Sequence, residues 1–283
     1  MVEKNFFEPK QSLNIRGEIF DLSTPKVMAI LNITPDSFYS NSRTNSIDDA
    51  LRKTEIFLNE GATFIDIGGY SSRPGAKNIT EDKELSRLIP VIEALNKNLP
   101  EAIISIDTFR AKIAEQTILA GAHIINDIAA GDLDGQMFET IARLQVPYIM
   151  MHMQGTPQNM QQNPVYTNVL LDVIGYLAEK IDKLKKLKIH DVIIDPGFGF
   201  GKTIEHNYEL LNQMQEFKIF KLPVLVGFSR KGMIHKVLQN TAAEALNGTT
   251  VLNTIALQKG AKILRVHDVK EAVECMKLVE MMG

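Results

Sequence analysis

The 283-residue chain is 45% apolar, ample for a packed core, and a net charge of -3 with a pI near 6.1 creates no global field toward nucleic acid or an anionic membrane surface. A single cysteine, Cys275, excludes a disulfide framework and a cysteine-rich zinc site and fits a reducing compartment. The opening MVEKNFFEPK lacks the apolar core of a secretory signal and no apolar run approaches the ~18 residues of a membrane span, so a soluble, cytoplasmic chain is expected.

In chain order, SLNIRGEIFDLS (12–23) places Arg-Gly between two alternating runs and reads as a β-hairpin. Eight short β-branched runs follow: KVMAILN (26–32), TFIDIGG (63–69), AIISIDT (102–108), HIINDI (123–128), PYIMMH (147–152), DVIIDPG (191–197), PVLVGFS (223–229) and KILRVHD (262–268). Several are apolar throughout rather than alternating, as parallel strands covered on both faces are. Between them lie amphipathic stretches at 47–62, 81–98, 110–121, 134–144, 165–188, 205–217, 241–259 and 268–282. No composition shift or Pro/Ser-rich linker divides the chain. Strict βα alternation predicts a single (β/α)8 TIM barrel over 1–283, running from about residue 26, with the hairpin covering its bottom. A doubly wound open sheet is the alternative. The Lys-rich KIDKLKKLK (180–188) keeps Ile181, Leu184 and Leu187 at helical spacing, so it reads as a solvated helix face. VECMKLVEMM (273–282) reads by the same spacing as core packing, or else as a partner surface.

Polar residues gather at one position of the repeat, the C-terminal end of a strand. They are Asn32, the GGYSSRPGA segment (68–76), Asp107, Asn126 with Asp127, His152, Asp195, Ser229-Arg230-Lys231, and Arg265 with His267. In a βα barrel these ends share one rim, and a polar ligand there would satisfy groups that are costly to bury alone. Asp127 either braces the turn after its strand or serves the rim. Arg230 either forms a salt bridge in the barrel wall or serves the site. His152 reads as a structural residue before a metal ligand, since none of the six histidines forms an HxxxH pair.

The stretch PGFGFGKT (196–203) imitates a phosphate loop. Pro196 stands where a nucleotide-binding loop ending at Lys202 needs glycine, and Lys202 stands where the dinucleotide fingerprint needs its last glycine. Its glycines read instead as backbone that approaches a flat ligand. Asp107, Asn126, Asp195 and Lys231 offer the paired donors and acceptors that read the edge of a nitrogen heterocycle. Arg73, Arg265 and His267 offer cations for a phosphate or diphosphate, and Asn32 with nearby carboxylates could hold Mg²⁺. The residues alone point to a barrel enzyme acting on a heterocycle that carries a phosphorylated group.

ILNITPDSF, GGYSSRPGA, SIDTFR, DPGFGFGK, GFSRK and RVHD, in that order and spacing, resemble the dihydropteroate synthase family, from about Lys26 to the C-terminus. The resemblance implies condensation of 6-hydroxymethyl-7,8-dihydropterin diphosphate with p-aminobenzoate to give 7,8-dihydropteroate and diphosphate, in folate synthesis, by a family that is a sulfonamide target and tends to form homodimers. It also implies site roles. Asp107, Asn126, Asp195 and Lys231 would hold the pterin ring; Asn32, Arg73, Arg265 and His267 would bind the diphosphate, with Mg²⁺ near Asn32. Ser72, Pro74, Phe200, Ser229, Lys231 and Gly232 would border p-aminobenzoate, and Asp107, Asp195, Lys231, Arg265 and His267 would carry the chemistry. Three departures stand out. The first loop reads DSFYSNSR (36–43) instead of Asp-Ser-Phe-Ser-Asp-Gly-Gly, Tyr70 replaces a glutamate, and Gly232 replaces a serine, leaving backbone N–H groups after Lys231 for the arylamine carboxylate. The alternatives are a barrel that passes a methyl group from a folate to a corrinoid protein, and a non-catalytic homologue.

Overall fold

The computed structural model of the chain describes residues 10–33, 43–70 and 78–282, with 43–46 as backbone only. Strands β1 (Ser12–Ile15) and β2 (Glu18–Asp21) pair antiparallel, Ile15 opposite Glu18. The two residues between them, Arg16 and Gly17, have φ of 55° and 84°, the left-handed pair that a type I′ hairpin turn requires. Strands β3 (Lys26–Asn32), β4 (Phe64–Gly68), β5 (Ile103–Asp107), β6 (Ile124–Asp127), β7 (Tyr148–Met151), β8 (Val192–Asp195), β9 (Leu225–Val226) and β10 (Ile263–Val266) form one parallel sheet in the order β8-β7-β6-β5-β4-β3-β10-β9. A bridge from Ile194 to Val224 joins its two ends and closes the barrel.

Helices α1 (Arg43–Glu60), α2 (Glu81–Asn98), α3 (Ala111–Leu119), α4 (Met137–Leu144), α5 (Val169–Lys186), α6 (Ile204–Asn212), α8 (Leu246–Gln258) and α9 (Val269–Glu280) ring the sheet, with a four-residue α7 (Gly232–His235) after β9. The expected run at 223–229 shrinks to two strand residues, because Pro223 has no N–H for the ladder and Lys231 N already turns back to Phe228 O at 3.0 Å. The helix expected at 241–259 begins as a 3-10 turn, Ala242–Glu244, under a Thr241–Glu244 capping box; that expected at 205–217 gives way after Asn212 to the 3-10 turn Met214–Phe220. Lys180 departs from the expected solvated face of α5: it is buried, pairs with Asp132 and lies over the Phe138 and Tyr176 rings. Val273, Met276 and Val279 of α9 pack on the core, whereas Met282 is exposed. No helix among the described residues is long and apolar enough to cross a membrane.

The hairpin plugs the N-terminal end of the barrel. Leu13, Ile15 and Leu22 pack with Met28, Phe64, Ile124, Ile149, Ile193, Leu225 and Ile263, the inward residues near the strand starts. Side chains repeat their direction every second residue along a strand. Two residues beyond that apolar layer, the inward positions are therefore Ile30, Asp66, Asn126, Met151, Asp195, Gly227 and Arg265. The sheet thus turns from oil to charge within one pleat.

Candidate active site

Asp66 is the centre of the charged layer. Fully buried in β4, it accepts hydrogen bonds from Ser105 Oγ (2.6 Å), Asn126 Nδ2 (3.1 Å) and Arg265 Nε (2.6 Å). Arg265 Nη2 donates in turn to Asp107 Oδ2 at 2.7 Å. The register sets Asn32 beside Gly68, Gly68 beside Asp107 and Asp107 beside Asn126, so these strand ends form one arc. Burial pushes the Asp107 carboxyl up, against the pull of Arg265; burial alone would lower the Arg265 guanidinium, but Asp66 and Asp107 more than offset it. Sequence reading passed over Asp66. The signal was a carboxylate inside the apolar run TFIDI, where an unpaired charge would be prohibitive.

Across the mouth, Asp195 Oδ1 accepts from Gly197 N at 2.7 Å, and burial raises its pKa against the nearby Lys231. Lys231 Nζ donates to Phe198 O at 2.6 Å and sits 4.6 Å from the Phe200 ring centroid, within cation–π range. Burial brings its pKa down to about 8, opposed by Asp195 and aided by Arg265. Ser229 Oγ lies 2.9 Å from His267 Nδ1, within hydrogen-bond distance, and accepts from His267 N at 3.2 Å. Gly232 opens α7 directly after Lys231.

Asp127 is fully buried and accepts from Ala129 N, Gly131 N and Tyr148 Oη at 2.8, 2.8 and 2.6 Å, so it braces the turn after β6. Arg230 grips Asp268 with Nε (2.9 Å) and Nη2 (2.7 Å) and is a salt bridge of the barrel wall. His152 faces Lys202 Nζ at 2.9 Å through Nδ1 and is structural. Tyr70, which replaces the glutamate, is buried: its hydroxyl donates to Asn78 Oδ1 and accepts from Gln158 Nε2, each at 3.0 Å, and its ring meets Phe109 edge-on at 5.3 Å. Ser72, Arg73, Pro74 and the altered first loop, Asn41-Ser42 and the Arg43 side chain, lie outside the described residues.

A metal can be tested against Asn32. Its Oδ1 lies 3.3 Å from where a Cβ on Gly68 would stand, so the glycine keeps that oxygen uncrowded at the rim. Among the described residues no group of three or more His, Cys, Asp or Glu could form an all-protein cage. One hard amide oxygen at a rim fits Mg²⁺, which draws its remaining ligands from phosphate and water.

The chain matches the pterin binding enzyme family over residues 28–267. It is 45% identical over 267 residues to the dihydropteroate synthase of Escherichia coli strain K12, covering 94% of each chain, and 43% identical over 268 residues to that of Haemophilus influenzae, covering 94% of this chain and 97% of the relative. Its fold superposes on Yersinia pestis dihydropteroate synthase in complex with a sulfonamide drug with a TM-score of 0.89 at 42% identity, covering 96% of this chain and 98% of that one. The Xanthomonas albilineans dihydropteroate synthase solved with 4-aminobenzoic acid also gives 0.89, at 34% identity with the same coverage. The similarity runs through the whole barrel and both sides of its charged mouth, and the chain belongs to the dihydropteroate synthase family of pterin binding enzymes.

Proposed function

We propose that this protein joins 6-hydroxymethyl-7,8-dihydropterin diphosphate to p-aminobenzoate, releasing diphosphate and forming 7,8-dihydropteroate for folate synthesis. One observation carries the reading: Asp66, Asp107, Asn126, Asp195, Lys231 and Arg265 gather as a paired-charge layer above an apolar plug. That layer offers carboxylates and an amide to a flat heterocycle, with cations at hand for an anion. Asp107, Asn126, Asp195 and Lys231 hold the pterin ring, whose N–H groups and ring nitrogens need both acceptors and donors. Asn32, Arg73, Arg265 and His267 take the diphosphate. Ser72, Pro74, Phe200, Ser229, Lys231 and Gly232 border p-aminobenzoate.

The bond between the exocyclic methylene carbon and the diphosphate oxygen breaks with its electron pair going to oxygen. The lone pair of the arylamine nitrogen then forms the new C–N bond, and that nitrogen releases a proton. Positive charge grows on the pterin as the leaving group departs, so the carboxylates of Asp107 and Asp195 stabilise the transition state more than the ground state. Burial raises both carboxyls, Asp107 to about 7, and Arg265 and Lys231 beside them oppose that rise and favour the ionised forms. Arg265 is fixed by Asp66 and Asp107 before substrate arrives, so it need not reorganise. Mg²⁺ would be held at Asn32, and when bound it supplies positive charge to the diphosphate oxygens.

A cytoplasmic homodimer completes the reading. The lone, buried Cys275 suits a reducing compartment, and exposed Leu278, Met281 and Met282 offer α9 an apolar contact surface. The test is diphosphate release and dihydropteroate formation, with each component omitted in turn. Product is expected only when the pterin diphosphate, p-aminobenzoate and Mg²⁺ are all present. Absence of dihydropteroate from the complete mixture overturns the assignment.

A further inference from the structure

The loop after β8 is held chiefly by its carbonyls. Gly197 and Phe200 offer theirs to Lys202 Nζ at 2.9 and 3.1 Å, Phe198 to Lys231 Nζ at 2.6 Å, Gly199 to Gln161 Nε2 at 2.7 Å and Gly201 to Tyr166 Oη at 2.6 Å. Gly197, Gly199 and Gly201 have φ of 71°, 82° and 58°, so the backbone torsions themselves supply little stiffness. A Cβ on Gly197 would collide with the carbonyl oxygen of His152, which shows how closely the loop lies against the end of β7.

Lys202 is only 2% exposed, yet an ammonium carries three N–H donors and no acceptor. Four acceptors surround it: Gly197 O and His152 Nδ1 at 2.9 Å, Phe200 O at 3.1 Å and His152 O at 3.5 Å. Because Nδ1 accepts, His152 carries its proton on Nε2. Burial and the adjacent Lys202 charge push its pKa down to about 2, so it stays neutral. Burial brings Lys202 itself down to about 7, with Asp195 opposing and Lys231 aiding.

We propose that Lys202 is a positioning residue: its ammonium clasps the Gly197 and Phe200 carbonyls to His152, and so fixes Asp195 through Gly197 and sets the Phe200 ring against Lys231. The inference rests on the synthase reading above, in which Asp195 faces the pterin and Phe200 the arylamine. Lys202 is faced by His152 at the end of β7, Asp195 at the end of β8 and Lys231 after β9, with Tyr166 and His206 flanking the loop. Lys231 is faced by Asp195, Arg265 and Asp107.

The test compares wild type, Lys202→Met and Lys202→Arg in the full chain, with folding checked by circular dichroism and urea unfolding. Lys202→Met is expected to raise KM for p-aminobenzoate at least about tenfold while kcat changes less than about threefold, the signature of lost ground-state positioning. Lys202→Arg spreads its N–H groups over a plane and cannot meet the same acceptors, so KM rises in it as well. Limited proteolysis gives a readout without turnover: Lys202→Met is cut faster within 196–203. A folded Lys202→Met with wild-type KM and protection overturns the clasp; should it fail to fold, wild-type KM in Lys202→Arg does so alone. A wild-type protein that forms no dihydropteroate fails the synthase reading instead, and the proteolysis comparison then still decides whether the clasp exists.

Discussion

Asp66→Asn separates charge from shape at the centre of the site. The carboxylate is fully buried and accepts from Ser105, Asn126 and Arg265. Asparagine fits the same volume. Its Oδ1 can face Arg265 and Asn126 while its Nδ2 points at Ser105 Oγ, whose hydroxyl turns from donor to acceptor. No hydrogen bond is orphaned, but the negative charge goes. Removing one member of a buried ion pair costs about 3–5 kcal/mol. Arg265 retains Asp107 at 2.7 Å, so part of that cost is avoided and a loss of about 2–3 kcal/mol is expected. Asp66→Ala adds unpaired donors and a cavity, for about 4–5 kcal/mol. The assay pairs urea unfolding with steady-state kinetics. With Arg265 less firmly held, kcat/KM for the pterin diphosphate should fall on the order of 10- to 100-fold in Asp66→Asn, about 1.4–2.8 kcal/mol of transition-state stabilisation. A variant that unfolds at the wild-type urea concentration and turns over at the wild-type rate would show that Asp66 does not organise the layer.

Lys231 is protonated below about 8 and the proposed site uses that form, so kcat/KM should fall as pH rises through about 8; Lys231→Met should lose this limb and on the order of a hundredfold in kcat/KM. Arg230→Ala forfeits the paired contacts to Asp268 and those to the Ala242 and Ala243 carbonyls, for about 2 kcal/mol by urea unfolding. Because Arg230 has a φ of 57°, Arg230→Gly should be about 1 kcal/mol more stable than Arg230→Ala, and equal stability would dismiss the backbone strain. Burial, with Arg16 adding to it, holds His123 down to about 4, while the unfolded chain takes up that proton below its ordinary 6.5. Stability is therefore lost as pH falls from 6.5 to about 4, by about 1.4 kcal/mol per pH unit for this group. His123→Gln, which can still accept from Ile104 N, should flatten the acid unfolding curve over that window.

Much of the candidate site was legible because its residues break a pattern. Asp107, Asn126, Asp195, Lys231 and Arg265 are polar groups at the ends of apolar runs, and the βα repeat gathers those ends at one rim. Asp127 and Arg230 look the same in sequence, yet one braces a turn and the other closes a salt bridge. Their separation from the site depends on which partner each side chain reaches, and neither Tyr148 nor Asp268 is marked in the chain as that partner. Tyr70 is similar: only the fold brings Asn78 and Gln158 to its hydroxyl.

By itself the sequence determined the alternation of strand and helix, the barrel, the covering hairpin and the family motifs, because these follow from local periodicity, turn chemistry and spacing. Tertiary structure decided which face of each strand looks inward. A two-residue period says that Phe64 and Asp66 share a face, but not whether that face meets helices or the barrel axis. Closure of the sheet between Ile194 and Val224 settles it, stacking the Asp66 layer on the Phe64 layer and bringing Arg265, 199 residues away in sequence, to within 2.6 Å of Asp66. A carboxylate inside an apolar strand becomes the group that ties Ser105, Asn126 and Arg265 together.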